Sequence, residues 1–181
     1  VKGICPEAEF RYGLVPEEPP PGLYDTLIEG MAAGDILLIE MQLEEHPGGR
    51  LGPAELDPEI RNVVETVVPA GVSVVEAAGN SNADLASLAD WEGKHIFDPG
   101  SEGDYVDSGA IIVGSGEPSE YTDPPPRSKR EDSNFGYRVD CQGPGYFVLT
   151  TGYGTYYYGG PHKRYSRLDY TSTSAASAVV T

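Results

Sequence analysis

Residues 170–181 join a run of hydroxyl side chains to a run of small apolar ones, and Ser174 stands at the junction. The change predicts a helix with Ser174 in its first turn, capped by Ser172 or Thr173. A serine there lies at the positive end of the helix dipole, beside backbone N–H groups that have no partner within the helix. These surroundings suit a nucleophile whose reaction builds up an oxyanion. A capped helix start without catalytic function uses the same residue types, so that alternative stays open.

Residues 77–81 form a second candidate part of a site. The apolar segment 72–75 is typical of a buried strand, and it runs directly into Ala77, Ala78, Gly79 and Asn80. In α/β folds the functional residues lie in loops at the carboxyl ends of strands. The segment therefore stands where a site is expected. The structural alternative is an ordinary turn, in which Asn80 tolerates a left-handed conformation.

The elements that would position these residues alternate between helices and strands. Apolar residues recur at helical spacing over 23–31 and 60–68, and glycines follow both segments. Apolar strands are predicted at 35–42, 72–75 and 110–114, the first of them buried in a parallel sheet. This order predicts a three-layer α/β fold, with a mostly parallel sheet and helices on both faces. Shorter strands are predicted within 4–13, 134–139 and 146–151.

Charge and hydropathy exclude two classes of partner. The chain carries 29 acidic and 12 basic residues, a formal net charge of −17, and such a surface repels the phosphate backbone of nucleic acids. No stretch approaches the roughly 18–20 apolar residues of a membrane span. The acidic side chains lack the spacing of a calcium loop, so we assign no metal ligands and expect no cofactor, while a structural calcium stays open.

Two features leave alternatives open. Cys5 and Cys141 match no zinc spacing, and they are compatible with one disulfide or with two buried thiols. The segment 152–170 is rich in tyrosine, which suits a hydrated surface loop as well as the wall of a substrate cleft. A carbohydrate- or surface-binding protein that uses the tyrosines at 153–158 is therefore one hypothesis for function.

Six segments, taken in chain order, resemble a subtilisin-like serine peptidase, a subtilase. The segments 72–81 (VSVVEAAGNS), 133–145 (SNFGYRVDCQGPG) and 172–178 (STSAASA) are similar to the family's oxyanion-asparagine, Ser-x-[Phe/Tyr]-Gly and nucleophile motifs. The segment 1–9 (VKGICPEAE) resembles the segment that follows the family's catalytic-histidine helix, and 35–42 and 110–114 resemble two of its strands. The resemblance implies the subtilisin-like form of the three-layer fold.

The resemblance also implies roles for individual residues. Ser174 would be the nucleophile of a secreted endopeptidase, and Asn80 would donate to the oxyanion. Peptide or protein substrates would bind along Glu40, Met41 and Gln42, and against a wall formed by 77–79. Glu40 to Gln42 replace the family's Ser-x-Gly, so its substrate preference does not carry over, and Glu40 would favour a basic substrate residue. Ser172 stands where the family has glycine, and Ala178 where it has proline.

The catalytic base is missing from these matches. In the family the aspartate and histidine motifs precede the serine, in the order Asp, His, Ser, and they would lie upstream of residue 1. His46, His95 and His162 lack the family's His-Gly-[Thr/Ser] context and are expected in loops or at the surface.

We therefore expect residues 1–181 to be one partial catalytic domain, truncated at both ends. The remainder of that domain, upstream or on another chain, would be its partner and would supply the aspartate and the histidine. The alternative is a non-catalytic subtilase-like domain used for binding or as a scaffold.

Overall fold

The computed structural model describes residues 7–16, 18–118, 124–146, 148, 150–151, 157–158, 164–166 and 172–181. The helices are α1 (Leu23–Ile28), α2 (Pro58–Val67) and α3 (Ser172–Val180). The strands are β1 (Ile36–Ile39), β2 (Gln42–Glu44), β3 (Leu51–Pro53), β4 (Ser73–Ala77), β5 (Ile111–Gly116), β6 (Cys141–Pro144), β7 (Thr150–Thr151), β8 (Tyr157–Tyr158) and β9 (Arg164–Ser166). The predicted helices and the apolar strands predicted at 72–75 and 110–114 are present, with bounds shifted by a few residues.

Four strands form a central sheet in the order β1-β4-β5-β6, and every neighbouring pair is parallel. Successive side chains of a strand point to opposite faces. In β4, Val74 packs in a cluster with residues of α2, whereas Val75 packs with Ala176 of α3. Helices therefore cover both faces of the sheet, and the predicted three-layer α/β fold is confirmed.

The start of α2 shows how the local sequence sets an element. The Asp57 carboxylate accepts a hydrogen bond from the backbone N–H of Glu59 at 2.8 Å. Pro58 follows in the first turn, where its missing N–H leaves no hydrogen bond unmade. The apolar stripe of the helix, residues Ile60, Val63, Val64 and Val67, is buried. The helical spacing of these residues therefore places them on one buried face of α2.

The prediction of one buried strand at 35–42 is wrong in two respects. β1 ends at Ile39, and β2 begins at Gln42 in a separate antiparallel pair with β3. Among the described residues β1 pairs with β4 alone, so it lies at an edge of the sheet. Its side chains are consequently half-buried or exposed.

The predicted strand at 134–139 is also wrong. Phe135 makes only an isolated bridge to Asp84, and Gly136 has a φ of 120°, which turns the chain. The strand of this region is β6, which pairs with β5.

The two remaining predictions of short strands, within 4–13 and at 146–151, also differ from the structure. Residues 7–13, the described part of the strand predicted within 4–13, form no strand, and Phe10 is 81% exposed. Of the strand predicted at 146–151, only β7 forms. Cys5 and most of the tyrosine-rich segment lie outside the described residues, while Cys141 carries a free, half-buried thiol in β6.

None of the helices in the described ranges has the length and apolar character needed to cross a membrane.

Candidate active site

The start of α3 meets the carboxyl end of β1. The Oγ atom of Ser174 donates a hydrogen bond to the backbone carbonyl of Glu40 at 2.9 Å. Glu40 directly follows β1, so the parallel sheet and α3 together bring these two residues into contact across 134 positions of sequence. The candidate nucleophile and the first predicted substrate-binding residue are therefore neighbours at the carboxyl edge of the sheet.

Asn80 joins the end of β4 to the first turn of α3. Its Oδ1 atom accepts hydrogen bonds from Thr173 Oγ1 at 2.7 Å, from the Thr173 backbone N–H at 3.2 Å, and from Ser172 Oγ. Thr173 Oγ1 in turn accepts from the backbone N–H of Gly79 at 3.2 Å. Asn80 therefore satisfies a backbone N–H at the start of α3. The expectation that Ser172 or Thr173 caps the helix is wrong, because among the described residues neither hydroxyl accepts from a backbone N–H of α3, and both donate to Asn80.

These contacts fix the orientation of the Asn80 amide. Oδ1 and Nδ2 share one carbon atom, so three donors on Oδ1 also fix the direction of Nδ2. Within the described part of the chain, Nδ2 donates no hydrogen bond. The positive φ angles in this turn belong to Gly79 (94°) and Asn82 (49°), so the alternative of a left-handed Asn80 is wrong. A half-buried amide N–H₂ group is thus presented beside α3.

Glycine is required at position 79 by the backbone conformation and by the atoms that lie around it. At a φ of 94° an L side chain is strained, and a Cβ atom would lie 2.6 Å from both the Leu51 carbonyl oxygen and Asn134 Nδ2. The turn that carries Asn80 therefore packs tightly on the start of β3.

Asn134 clamps the same turn, and sequence reasoning missed it. Its Nδ2 group donates to the carbonyls of Leu51 at 2.6 Å and Ala78 at 2.7 Å. Its Oδ1 atom accepts from the backbone N–H groups of Ser81 at 3.0 Å and Ala83 at 2.9 Å. All four hydrogen-bonding positions of the amide are used, and the residue is 1% exposed. The Ser-Asn-Phe-Gly motif was recognised in the sequence, but an asparagine inside it offered no signal for this role.

The other predicted substrate-binding residues differ in accessibility. Ala77 and Ala78 are 0% exposed and Gly79 is buried, so in this structure the three residues offer little surface to a substrate. Glu40 is exposed, and Met41 and Gln42 are half-buried. Gln42 Oε1 is buried, with no hydrogen-bond partner among the described residues. The accessible part of the predicted substrate-binding set is therefore 40–42.

The described histidines lie in loops, as predicted. His46 is exposed, His95 is half-buried, and His162 lies outside the described residues. The Ser174 hydroxyl donates to a backbone carbonyl and not to a histidine nitrogen. In the described ranges no group of three histidine, cysteine or acidic side chains is arranged to hold a metal ion.

A pair of buried glutamates lies close to the carboxyl end of β4, the strand that precedes Asn80. Glu76 of β4 is fully buried, and its Oε2 atom accepts from the backbone N–H of Ala54 at 3.1 Å. Glu55 is buried beside it and accepts from Ser108 Oγ at 2.8 Å. Burial raises the pKa of the Glu76 carboxyl well above its ordinary value of 4.5, and Glu55 raises this pKa further, against a smaller lowering by Arg138.

Replacing Glu76 with glutamine is expected to stabilise the protein at neutral and alkaline pH. Because folding raises the Glu76 pKa, its contribution to stability is complete below pH 4.5 and is lost as the pH rises through the folded-state pKa. Glutamine stays neutral and keeps an oxygen for the Ala54 N–H. The variant's free energy of unfolding should therefore exceed that of the wild type at pH 8, by more than any difference at pH 4.5.

Urea unfolding at pH 4.5 and pH 8 measures this difference. Glu65→Gln, an exposed glutamate on α2, is the matched control and should change little at either pH. Equal stability of Glu76→Gln and wild type at both pH values would contradict the assignment of a raised pKa.

Comparison with known proteins gives a match in structure but not in sequence. No protein-family model and no curated protein sequence matches the chain. The fold is similar to the solved structure of a cold adapted subtilisin-like serine proteinase, with a TM-score of 0.52 and 21% sequence identity. The match covers 85% of this chain and 41% of that chain. The chain therefore has a subtilisin-like fold and spans about two-fifths of the length of that proteinase.

Proposed function

We propose that this chain is part of a serine endopeptidase of the subtilase type, which hydrolyses peptide bonds through an acyl-enzyme at Ser174. The observation that carries the proposal is the junction of α3 with the ends of two parallel strands. There Ser174 contacts the end of β1, while Thr173 is bound to Asn80 at the end of β4. Within a subtilisin-like fold, this junction combines a nucleophile with donors for an oxyanion.

In the proposed mechanism Ser174 Oγ attacks the scissile carbonyl carbon, and the carbonyl oxygen gains negative charge. The backbone N–H of Ser174, at the positive end of α3, and the Nδ2 group of Asn80 donate to that oxygen. The Thr173 and Ser172 contacts keep Asn80 Oδ1 turned away from the oxyanion, since Oδ1 would repel it. Collapse of the tetrahedral intermediate breaks the C–N bond, and the amine leaves with the proton that the base had taken from Ser174. The acyl-enzyme that remains is then hydrolysed by water.

The base that takes the Ser174 proton is proposed to come from the remainder of the catalytic domain, which supplies the histidine and the aspartate. Two surfaces favour such a partner. In the described residues β1 has a hydrogen-bonded neighbour on one edge only. In the segment 10–14, Phe10, Tyr12 and Leu14 are each exposed to 80% or more. An open strand edge and a row of apolar side chains suit the docking of further strands.

Residues 40–42 are proposed to bind the substrate beside Ser174. The Glu40 carbonyl, which now accepts from Ser174 Oγ, is a ready acceptor for a substrate backbone N–H once the base has taken over the serine proton. The exposed Glu40 carboxylate favours a basic side chain in the substrate. The acidic composition suits an extracellular protein, and we propose secretion as its location.

A non-catalytic, subtilase-like scaffold is the second candidate. It is favoured by the observation that Ser174 Oγ is bound to a backbone carbonyl, with no base on it among the described residues. Without a base a serine hydroxyl is an ordinary alcohol, and most of the catalytic advantage is lost.

A fluorophosphonate probe separates the two candidates, because it reacts with activated serines and leaves ordinary ones unmodified. The complete protein, expressed from its full gene, would be treated with the probe, and the modified peptide identified by mass spectrometry. We expect one adduct on Ser174, absent after heat denaturation and in a Ser174→Ala control. A folded complete protein that takes up no label at Ser174 would favour the scaffold and exclude the peptidase.

A further inference from the structure

We propose that Ser172 is a positioning residue for the Asn80 amide, held in place by Asp132 and Arg130. The inference rests on the proposed function, because the position of Asn80 matters to catalysis only if Ser174 is the nucleophile. It concerns the position at which this chain departs from the glycine of the subtilase motif.

The backbone at Ser172 is strained in a way that glycine would avoid. Its φ of 81° lies in the left-handed region, where a non-glycine residue costs about 1–2 kcal/mol. Serine forms the local side-chain hydrogen bonds of asparagine and aspartate only weakly, so we expect a contact elsewhere to offset the strain. The residue is 8% exposed, so solvent cannot provide that contact.

The Ser172 hydroxyl supplies the contact by lying between two acceptors. Its Oγ atom lies within hydrogen-bonding distance of Asn80 Oδ1 and, at 3.0 Å, of Asp132 Oδ2. A hydroxyl has one proton and can rotate, so the two acceptors share it. Asp132 thereby restricts the Ser172 side chain to the rotamer that reaches Asn80.

Asp132 is itself fixed by its neighbours. Arg130 Nε donates to Asp132 Oδ1 at 3.1 Å, and the Asp132 carbonyl accepts from the backbone N–H of Asn82 at 2.9 Å. The Arg130 guanidinium lies 4.5 Å from the centre of the Tyr146 ring and 3.8 Å from a Glu117 oxygen. A chain of contacts therefore runs from Arg130 through Asp132 and Ser172 to Asn80.

The effect on Asn80 follows from the chemistry of its amide. Rotation by 180° about the Cβ–Cγ bond would exchange Oδ1 with Nδ2 and place two donors, Nδ2 and the Thr173 N–H, against each other. Thr173 Oγ1 opposes this rotation from one side, and Ser172 adds a second hydroxyl donor on the same oxygen. Ser172 thus helps to keep Nδ2 directed to the position where the oxyanion would form.

A double-mutant cycle in the complete protein tests this role. Ser172→Gly removes the hydroxyl and suits the positive φ, so the variant should fold. We expect the turnover number on a peptide substrate to fall roughly 3–10-fold, the worth of one hydrogen bond, with KM within twofold. Arg127→Gly, at an exposed residue that also has a positive φ (66°), is the matched control and should retain wild-type turnover.

The second arm of the cycle distinguishes positioning from a general structural effect. In an Asn80→Ala background, Ser172→Gly should cause no further loss of turnover, because there is no amide left to position. An equal loss in both backgrounds, or none in the wild-type background, would overturn the inference while leaving the peptidase proposal intact. Failure of the wild-type protein to label with a fluorophosphonate would overturn the peptidase proposal and this inference with it.

Discussion

Replacing Asn80 with alanine in the complete protein is expected to lower the turnover number by about 10²–10³. This is the magnitude seen in subtilisin when its oxyanion-hole asparagine is removed. The reason in this chain is that Asn80 Nδ2 is the side-chain donor that the contacts of Oδ1 leave available. Because the donor acts on charge that develops in the transition state, KM should change little.

Steady-state kinetics on a peptide substrate measures both parameters. Asn62→Ala, an exposed asparagine on α2, is the matched control and should retain wild-type turnover. Asn80 also bonds the start of α3, so the variant's unfolding midpoint must be measured alongside. A folded Asn80→Ala protein with a wild-type turnover number would show that Asn80 is a structural cap and not an oxyanion donor.

Replacing Asn134 with alanine is expected to destabilise the protein by about 3–5 kcal/mol. The substitution leaves two backbone N–H groups and two carbonyls without the partners that the amide supplied. Each buried group left unsatisfied costs about 1–3 kcal/mol, and water entering the space recovers part of the sum. Urea unfolding followed by tryptophan fluorescence measures the change, since Trp91 is the only tryptophan of the chain.

Asn134→Asp is the informative companion variant, because it keeps the shape and the two acceptor contacts but loses the two donor contacts. We expect it to be destabilised as well, since its carboxylate would face the carbonyls of Leu51 and Ala78. A loss below about 1 kcal/mol for Asn134→Ala would mean that the turn at Asn80 is held by its packing and not by this clamp.

The fold was predictable because its signals are repeated along the chain. The helical stripe of α2 and the apolar runs of β1, β4 and β5 each specify an element, and together they specify a parallel sheet between helices. The errors fall where those signals are weak. At 134–139, one asparagine amide and the φ of Gly136 decide the conformation, and neither shows in an alternating pattern of residues.

The meeting of Asn80 with the first turn of α3, which carries Ser174, was implied by a resemblance to a family and not by the local sequence. Local sequence marks a helix start and a turn, but it does not reveal that Asn80 Oδ1 is an acceptor for the helix. The partners of that oxygen are 92 and 93 residues away. The contact of Asp132 with Ser172 could not be predicted from local sequence either, since a carboxylate in a polar loop indicates only a solvated surface.

The bonding of Asn80 to the first turn of α3 also bears on how the chain acquires its site. Contacts this distant in sequence form late, because a long loop must close before they contribute. Once Asn80 has emerged from the ribosome, more than 90 further residues must emerge before Thr173 can reach it. During that interval the first turn of α3, with Ser174, is not in place and the Asn80 amide is not held by it. A peptidase assembled in this order would remain harmless to its own nascent chain until the last segment of the site had docked.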